Sequence, residues 1–197
     1  AGLIIVGRTN MTEFAYSAIG LNPHFGTPAN PFDRGLGRIP GGSSSGAAVS
    51  VTDGMAVAAL GTDTGGSCRI PAALSGVVGY KPTANRVSLN GVAPLSPSLD
   101  SVGPLAASVE CCAILDTILS GDRRPPPSAF ALNGLRLAVP QTLVLDDLDE
   151  AVAKAFEAAL LRLSAAGATI NGIAFEQLAE LPEINARGGL VAVEAYA

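Results

Sequence analysis

Two glycine- and serine-rich loops in one short stretch constrain this chain more than any other feature. Residues 40–71 have the sequence PGGSSSGAAVSVTDGMAVAALGTDTGGSCRIP, in which the loops flank a run of small residues and a short apolar run. Glycine lacks a Cβ atom, so the backbone can approach another group closely or adopt a positive φ there. A helix and a strand between the loops would return them to one place, where a serine hydroxyl and peptide N–H groups can act on the same reacting group. The pattern therefore predicts a serine-nucleophile site on an α/β framework.

Helical and strand patterns alternate along the whole chain, which favours the α/β class. Apolar runs bounded by turn residues predict strands at 3–6, 55–60, 76–80, 135–139 and 168–173. Capping residues predict helices that start near Thr12, that cover 44–53, 71–74 and 109–119, and that run from Asp147 or Asp149 to Ala166. Ser108 is the expected N-cap of the helix at 109–119, and Gly121 its end. The proline- and glycine-rich residues 22–40 and 81–104 are expected to be irregular.

A stiff proline segment divides the chain into two parts. Residues 122–128 contain three consecutive prolines, Pro125 to Pro127, a composition typical of an extended polyproline crossing. We expect residues 1–124 to form a core that holds both glycine–serine loops. Residues 125–197 are expected to add a βαβ-like part to the same domain.

Charge and cysteine content argue against several classes of function. The chain carries a net charge of −5 and its only lysines are Lys81 and Lys154, so no direct binding of nucleic acid is expected. The apolar run at 55–60 is far shorter than a membrane span, so no membrane association is expected. Three cysteines, two of them adjacent, give neither a disulfide framework nor a metal-ligand spacing. Reduced cysteines and the lack of a signal-peptide pattern predict a cytoplasmic location.

Neither a histidine-based triad nor a carboxylate pair is expected. His24 is the only histidine, and it lies in a proline-rich loop without a recognisable acid-base partner. Five aspartates outside the glycine–serine loops are interpreted as turn and cap residues: Asp100, Asp116, Asp146, Asp147 and Asp149. A phosphate-binding loop is not expected either, because neither glycine-rich loop ends in Gly-Lys-Ser or Gly-Lys-Thr.

The order and spacing of the two loops resemble the amidase signature family. The matching residues are GGSSSG at 41–46, GTDTGGSCRIP at 61–71 and GYKPT at 79–83. The resemblance runs from Ala1 to about Pro140. It implies a mixed β-sheet covered by helices on both faces, incomplete at both ends of this chain. It also implies hydrolysis of a small-molecule amide to a carboxylate and ammonia, with no metal and no organic cofactor.

The resemblance assigns the reacting groups. Ser67 would be the nucleophile that becomes acylated, and Ser43 would bridge it to a neutral lysine that acts as the base. The Gly42–Ser43 peptide bond would be cis. The peptide N–H groups just before the nucleophile would form the oxyanion hole. They belong to Thr64, Gly65 and Gly66.

Residues beside the two serines are expected to support them. Asp63 and Arg69 flank the nucleophile and are predicted to brace its loop as an ion pair, a role that we favour over substrate binding. Ser44 is predicted to cap the helix that follows it. Cys68 stands where the family usually has an aliphatic residue. On an extended segment its side chain would face away from Ser67, so packing is its expected role.

The base is the part of this machinery that the sequence lacks. In the family the lysine lies on a strand well upstream of the bridging serine, and no lysine precedes Ser43 here. Lys81 matches the family's structural Lys-Pro-Thr turn and Lys154 belongs to a late helix, so neither replaces the base. We therefore expect this chain to be the central part of a longer protein and to be nearly inactive alone.

Two other functions stay open. The A-subunit of a glutamyl- or aspartyl-tRNA amidotransferase has the same motifs and passes ammonia on to its partner. In an interpretation from a different class, the chain is a non-catalytic fragment that keeps only the centre of the fold, and the missing lysine favours it. Both a homodimer and amidotransferase partner subunits are therefore kept as candidate partners.

Overall fold

The structure is a computed structural model that describes residues 2–126, 128–186 and 188–196. The predictions that involve Ala1 and Pro127 lie outside the described residues. Helices and strands alternate along the described chain, which confirms the α/β class.

A three-stranded antiparallel sheet forms the centre of the first of two compact units, which comprises residues 1–127 and 190–197. Its strands are β1 (Ala58–Asp63), β2 (Val78–Gly79) and β3 (Ser101–Ala106), in the order β1-β3-β2. Every residue of the central strand β3 is buried. Asp63 lies opposite Ser101, so the end of β1 that leads into the second glycine–serine loop is held against the start of β3.

Strand β3 falls partly in a segment predicted to be irregular, so that prediction is wrong for residues 101–104. Pro104 has no N–H to donate, but its carbonyl oxygen accepts a hydrogen bond from Tyr80 N at 3.0 Å. A Cβ atom on Gly103 would lie 2.0 Å from the carbonyl oxygen of Tyr80, so glycine is required where the two segments pass. Proline and glycine, which usually predict loops, here belong to a closely packed strand.

Three helices made largely of small and apolar residues pack with this sheet: α1 (Ser45–Thr52), α2 (Arg69–Ser75) and α3 (Val109–Ser120). Alanine side chains of α1 and α2 join Cys68 and Leu105 in the buried core, because small side chains let helix and sheet approach closely. The predicted ends of α3 are confirmed. Ser108 Oγ accepts a hydrogen bond from Cys111 N at 3.1 Å, and the helix ends at Gly121 with a φ of 69°.

The second unit, residues 128–189, is built on a βαβ arrangement. Strands β4 (Arg136–Pro140) and β5 (Thr169–Ile173) pair in parallel, and α4 (Glu150–Ala165) connects them. Asp149 caps α4, because its carboxylate accepts a hydrogen bond from Ala151 N at 2.9 Å. The predicted βαβ pattern is therefore confirmed.

Three short helical segments follow: a 3-10 helix (Glu176–Glu180), α5 (Leu181–Asn185) and α6 (Gly189–Tyr196). From Leu190 onwards, α6 belongs to the first unit. The proline segment at residues 122–128 did not predict that the end of the chain belongs to the first unit. The division of the sequence at residues 124 and 125 stays a prediction.

Two predicted strands differ from the structure. Residues 3–6 have no strand partner in the described chain, and Ile4 and Ile5 are 90% and 87% exposed. An apolar run becomes a strand only where a neighbour accepts and donates its backbone hydrogen bonds, so this prediction is wrong here. The strand predicted at 55–60 is displaced to Ala58–Asp63, because Met55 N bonds back to Ser50 O at 2.9 Å and prolongs the turn after α1.

Candidate active site

The two glycine–serine loops lie side by side in the first unit. Ser44 N donates a hydrogen bond to the carbonyl oxygen of Ser67 at 3.2 Å. A Cβ atom on Gly61 would lie 2.5 Å from Ser44 Oγ, so only glycine lets β1 approach the first loop this closely. The structure therefore brings the two serine-bearing loops together.

The Ser44 side chain has a different role in this contact from the helix-capping role predicted from the sequence. It occupies the N-cap position of α1, but its side chain makes no capping hydrogen bond, so the predicted capping role is wrong. Its hydroxyl instead donates to Thr62 O at 3.3 Å. Since β1 offers a backbone acceptor beside the loop, the hydroxyl ties the loop to the sheet.

Ser43 is enclosed just before α1. Its peptide bond to Gly42 is cis, as the resemblance implies. The Ser43 side chain is 0% exposed, and its hydroxyl has no hydrogen-bond partner among the described residues. Buried polar groups are nearly always hydrogen-bonded, so this hydroxyl is available to a group that those residues do not supply. Ser67 is buried as well.

A segment that the sequence did not associate with the site encloses the first loop. Thr12 N donates to Ser43 O at 3.0 Å, and Gly42 N donates to Ala18 O at 2.7 Å. A Cβ atom on Gly42 would lie 2.7 Å from both Gly20 N and Thr12 Oγ1. Gly42 therefore leaves room for this segment. The glycine is the only signal of the contact in the sequence, and it does not reveal which segment approaches.

Asp63 holds the backbone on both sides of Ser67. Its side chain is 0% exposed, and Oδ1 accepts hydrogen bonds from Gly66 N at 2.8 Å and from Arg69 Nη2 at 2.9 Å. Oδ2 accepts hydrogen bonds from Cys68 N at 3.1 Å and from Arg69 Nε at 3.0 Å. The predicted ion pair is present, and the same carboxylate fixes the peptide groups before and after Ser67.

Burial and hydrogen bonding act in opposite directions on Asp63. Burial raises its pKa, but the hydrogen bonds from Arg69 and from the N–H groups of Cys68 and Gly66 outweigh that effect. The pKa of Asp63 therefore lies below its ordinary value of 3.8. The hydrogen bond to Asp63 in turn raises the pKa of Arg69, whose side chain is 52% exposed. Both groups are ionised at neutral pH.

The three peptide groups predicted to form the oxyanion hole differ in their contacts. Gly66 N donates to Asp63 Oδ1, so this N–H is occupied. Neither Thr64 N nor Gly65 N forms a hydrogen bond with another residue that the structure describes. The N–H groups of Thr64 and Gly65 thus have no partner among the described residues, whereas that of Gly66 is directed at a carboxylate.

Asp100 contacts the loop that holds Ser67 from a distant part of the sequence. Its Oδ2 accepts hydrogen bonds from Leu95 N at 2.9 Å and Ser96 N at 3.0 Å, which confirms its predicted role in a turn. Its Oδ1 accepts a hydrogen bond from the Thr64 hydroxyl, across 36 residues of sequence. No local pattern predicts this second contact.

Cys68 packs in the core, as predicted, but its backbone is helical (φ −94°, ψ −43°) and not extended as expected. It is fully buried in the core, with Sγ 3.8 Å from Gly103 O. Burial, reinforced by the negative charge of Asp63, raises the pKa of the Cys68 thiol to about 12. The thiol is therefore protonated at neutral pH and unsuited to act as a nucleophile.

Both lysines of the chain are engaged by other groups. Lys81 Nζ donates to Pro82 O at 2.8 Å and to Ser101 Oγ at 3.3 Å. Lys154 pairs with Glu150 on the exposed face of α4. Both lysines therefore have hydrogen-bond partners other than Ser43.

The other titratable candidates belong to other segments of the chain. His24 Nε2 lies 3.5 Å from Glu13 Oε2 at the surface. Asp146 and Asp147 lie in a turn, as predicted. Asp116 is buried within α3 and pairs with Arg86 Nη2 at 2.7 Å, so its predicted role as a turn or cap residue is wrong. In the described ranges no group of three or more His, Cys, Asp or Glu side chains is arranged to hold a metal ion.

The α/β fold and the paired glycine–serine loops define an amidase-type protein. The sequence profile of the Amidase family matches residues 1–196. The chain belongs to the amidase family, which confirms the resemblance seen in its motifs. The match extends to residue 196, so the expectation that the resemblance ends at about Pro140 is wrong.

No helix in the described part of the chain combines the length and apolarity needed to cross a bilayer.

Several relatives match nearly the whole chain. It is 45% identical over 198 aligned residues to the 2-amino-5-chloromuconic acid deaminase of Comamonas testosteroni. This alignment covers 98% of this chain and 42% of the deaminase. It is 45% identical over 183 residues to the glutamyl-tRNA(Gln) amidotransferase A-subunit of Symbiobacterium thermophilum, covering 86% and 37%. The crystal structure of the corresponding Thermotoga maritima protein matches with a TM-score of 0.89 at 37% identity, over 98% of this chain and 44% of the other. The chain thus spans less than half the length of these relatives.

Proposed function

We propose that the protein containing this chain hydrolyses a carboxamide to a carboxylate and ammonia through an acyl-serine intermediate. The observation that carries the proposal is the pairing of the two loops: Ser44 N bonds to Ser67 O, and the enclosed Ser43 hydroxyl beside them has no partner among the described residues. Membership of the amidase family supports it. The substrate is a small-molecule amide.

In the proposed reaction Ser67 Oγ attacks the amide carbon, and its proton passes through Ser43 Oγ toward a neutral amine base. The N–H groups of Thr64 and Gly65 stabilise the negative oxygen of the tetrahedral intermediate. The C–N bond then breaks as the leaving nitrogen takes up the proton, and ammonia departs. Water attacks the acyl ester on Ser67, returns a proton to Ser67 Oγ through Ser43, and releases the carboxylate.

We assign the base to a lysine outside this chain. Lys81 and Lys154 bond to other groups, and the match covers only 42% of the Comamonas testosteroni deaminase. A catalytic unit that lacks one member retains little activity. This chain alone should therefore hydrolyse amides about a thousandfold more slowly than the full-length protein.

Ammonia release by the full-length protein tests the proposal. Ser67→Ala should lower kcat by about a thousandfold or more, because the acyl ester cannot form. Ser50→Ala is a matched control: the hydroxyl of this buried serine of α1 donates to Ala47 O at 2.9 Å, and its loss should leave kcat unchanged. A Ser67→Ala enzyme with more than about a tenth of the wild-type kcat would overturn the proposal.

An amidotransferase A-subunit is the second candidate. The 45% identity to the glutamyl-tRNA(Gln) amidotransferase A-subunit of Symbiobacterium thermophilum favours it. The full-length protein would then hydrolyse glutamine and co-purify with further subunits from its native source. A protein that purifies alone or as a homodimer and does not hydrolyse glutamine would exclude this candidate.

We also propose a cytoplasmic location. The three cysteines are free thiols in the structure, and unpaired thiols are typical of reducing compartments. Cell fractionation checks this location.

A further inference from the structure

A carboxylate from α6 contacts the turn that precedes β3. In this turn, Leu99 N and Asp100 N both donate to Ser96 O at 2.8 Å. Ser96 is fully buried. Glu194, which lies on α6, accepts hydrogen bonds from the same turn and belongs with it to the first unit.

Glu194 accepts three hydrogen bonds from the turn. Its Oε2 accepts from Ser96 Oγ at 2.5 Å and from Ser98 N at 3.1 Å. Its Oε1 accepts from Ser98 Oγ at 2.5 Å. These hydrogen bonds lower the pKa of Glu194 below its ordinary value. Charge-assisted bonds of this kind are stronger than those between neutral groups, so the carboxylate fixes both serines of the turn.

The same turn is connected to the loop of Ser67 through Asp100. Asp100 binds the turn through Leu95 N and Ser96 N, and its other oxygen accepts the Thr64 hydroxyl. Thr64 lies three residues before Ser67 in the loop. A continuous set of hydrogen bonds therefore connects Glu194 to the residue whose N–H we assign to the oxyanion hole.

We propose that Glu194 is a positioning residue of the hydrolytic site. It fixes the turn, the turn orients Asp100, and Asp100 holds Thr64 so that its N–H faces the reacting oxygen. This inference rests on the proposed function. A misplacement of a catalytic group by about 1 Å costs about a hundredfold in rate, so a carboxylate that touches no reacting atom can still control kcat.

The experiment compares Glu194→Ala and Glu194→Gln in the full-length enzyme. Glu194→Ala removes all three acceptor contacts and should lower kcat by about tenfold or more, with KM nearly unchanged. Glu194→Gln keeps an acceptor oxygen for Ser96 Oγ and Ser98 N and should recover most of that loss. Glu157→Ala, at an exposed position of α4, is the matched control and should behave like the wild type.

A double-mutant cycle separates positioning from general stability. Thr64→Val removes the hydroxyl that bonds to Asp100. If Glu194 acts through Asp100 and Thr64, the double variant should be no slower than the slower single variant, because both changes break the same connection. Titration of the active serine with a fluorophosphonate should give kcat per correctly folded molecule.

Two results overturn the inference while leaving the proposed function intact. One is wild-type kcat in Glu194→Ala when Ser67→Ala is inactive, and the other is an additive effect of the Glu194 and Thr64 changes on the logarithm of kcat. If Glu194→Ala does not fold, Ser98→Ala replaces it in the cycle and should lower kcat about threefold. Wild-type kcat in Ser98→Ala would then refute the role. Activity in Ser67→Ala would instead refute the proposed function itself.

Discussion

Replacement of Asp63 by alanine should destabilise the protein more than any change at an exposed ion pair. Asp63 is fully buried and accepts hydrogen bonds from Gly66 N, Cys68 N and the Arg69 side chain. The Asp63→Ala variant leaves the two peptide N–H groups buried without these acceptors. It also leaves the Arg69 guanidinium without its partner.

The magnitude follows from these contacts. An unsatisfied buried donor costs about 1–3 kcal/mol, so the N–H groups of Gly66 and Cys68 together account for about 2–6 kcal/mol. The Arg69 side chain is 52% exposed and regains water, so its lost ion pair adds at most about 1 kcal/mol. We therefore expect a loss of about 2–7 kcal/mol in the free energy of unfolding, a large share of the about 5–15 kcal/mol typical of a domain.

Urea unfolding of the full-length protein followed by circular dichroism measures this loss. The control is Glu150→Ala, which removes the exposed pair with Lys154 and should cost less than about 1 kcal/mol. If Asp63→Ala and Glu150→Ala shift the free energy of unfolding equally, Asp63 does not hold the loop as described.

Three further predictions concern the same region. Gly61→Ala should destabilise the fold by about 1–3 kcal/mol in urea unfolding, since the new Cβ would lie 2.5 Å from Ser44 Oγ; an unchanged midpoint would contradict this packing. In the folded chain iodoacetamide should modify Cys111, which is partly exposed, long before Cys68, whose buried thiol has a pKa of about 12; peptide mass spectrometry reads the order, and equal rates would refute it. Because folding lowers the pKa of Asp63, its stabilisation is complete above the ordinary value of 3.8 and is lost as pH falls through the folded-state pKa. Asp63→Asn should therefore flatten the dependence of unfolding free energy on pH below about pH 4, and a parallel curve would argue against it.

Local signals predicted the elements whose stabilising contacts are local. Helix α3 carries its own start at Ser108 and its own end at Gly121, and both could be recognised from residue type. Strand β3 carries the opposite signals, because Gly103 and Pro104 are typical of loops. Only their contacts with Tyr80, far away in sequence, explain why they belong to a strand.

The candidate site also contains contacts that the sequence predicted and contacts that it did not. The spacing of the glycines predicted that the loops of Ser43 and Ser67 approach each other, since the small-residue helix and strand between them form a compact unit. The contacts of Asp100 with Thr64 and of Glu194 with Ser96 join residues 36 and 98 positions apart. Such long-range hydrogen bonds between common polar residues leave no pattern in a single sequence.

The most direct test of the central claim is to identify the residue that becomes covalently modified. The full-length protein is treated with a fluorophosphonate, digested, and analysed by tandem mass spectrometry, with Ser67→Ala and Ser50→Ala variants in parallel. We predict one phosphonylated residue, Ser67, in the wild type and in Ser50→Ala, and none in Ser67→Ala. Modification of a different serine, retained in the Ser67→Ala variant, would contradict the assignment of Ser67 as the nucleophile.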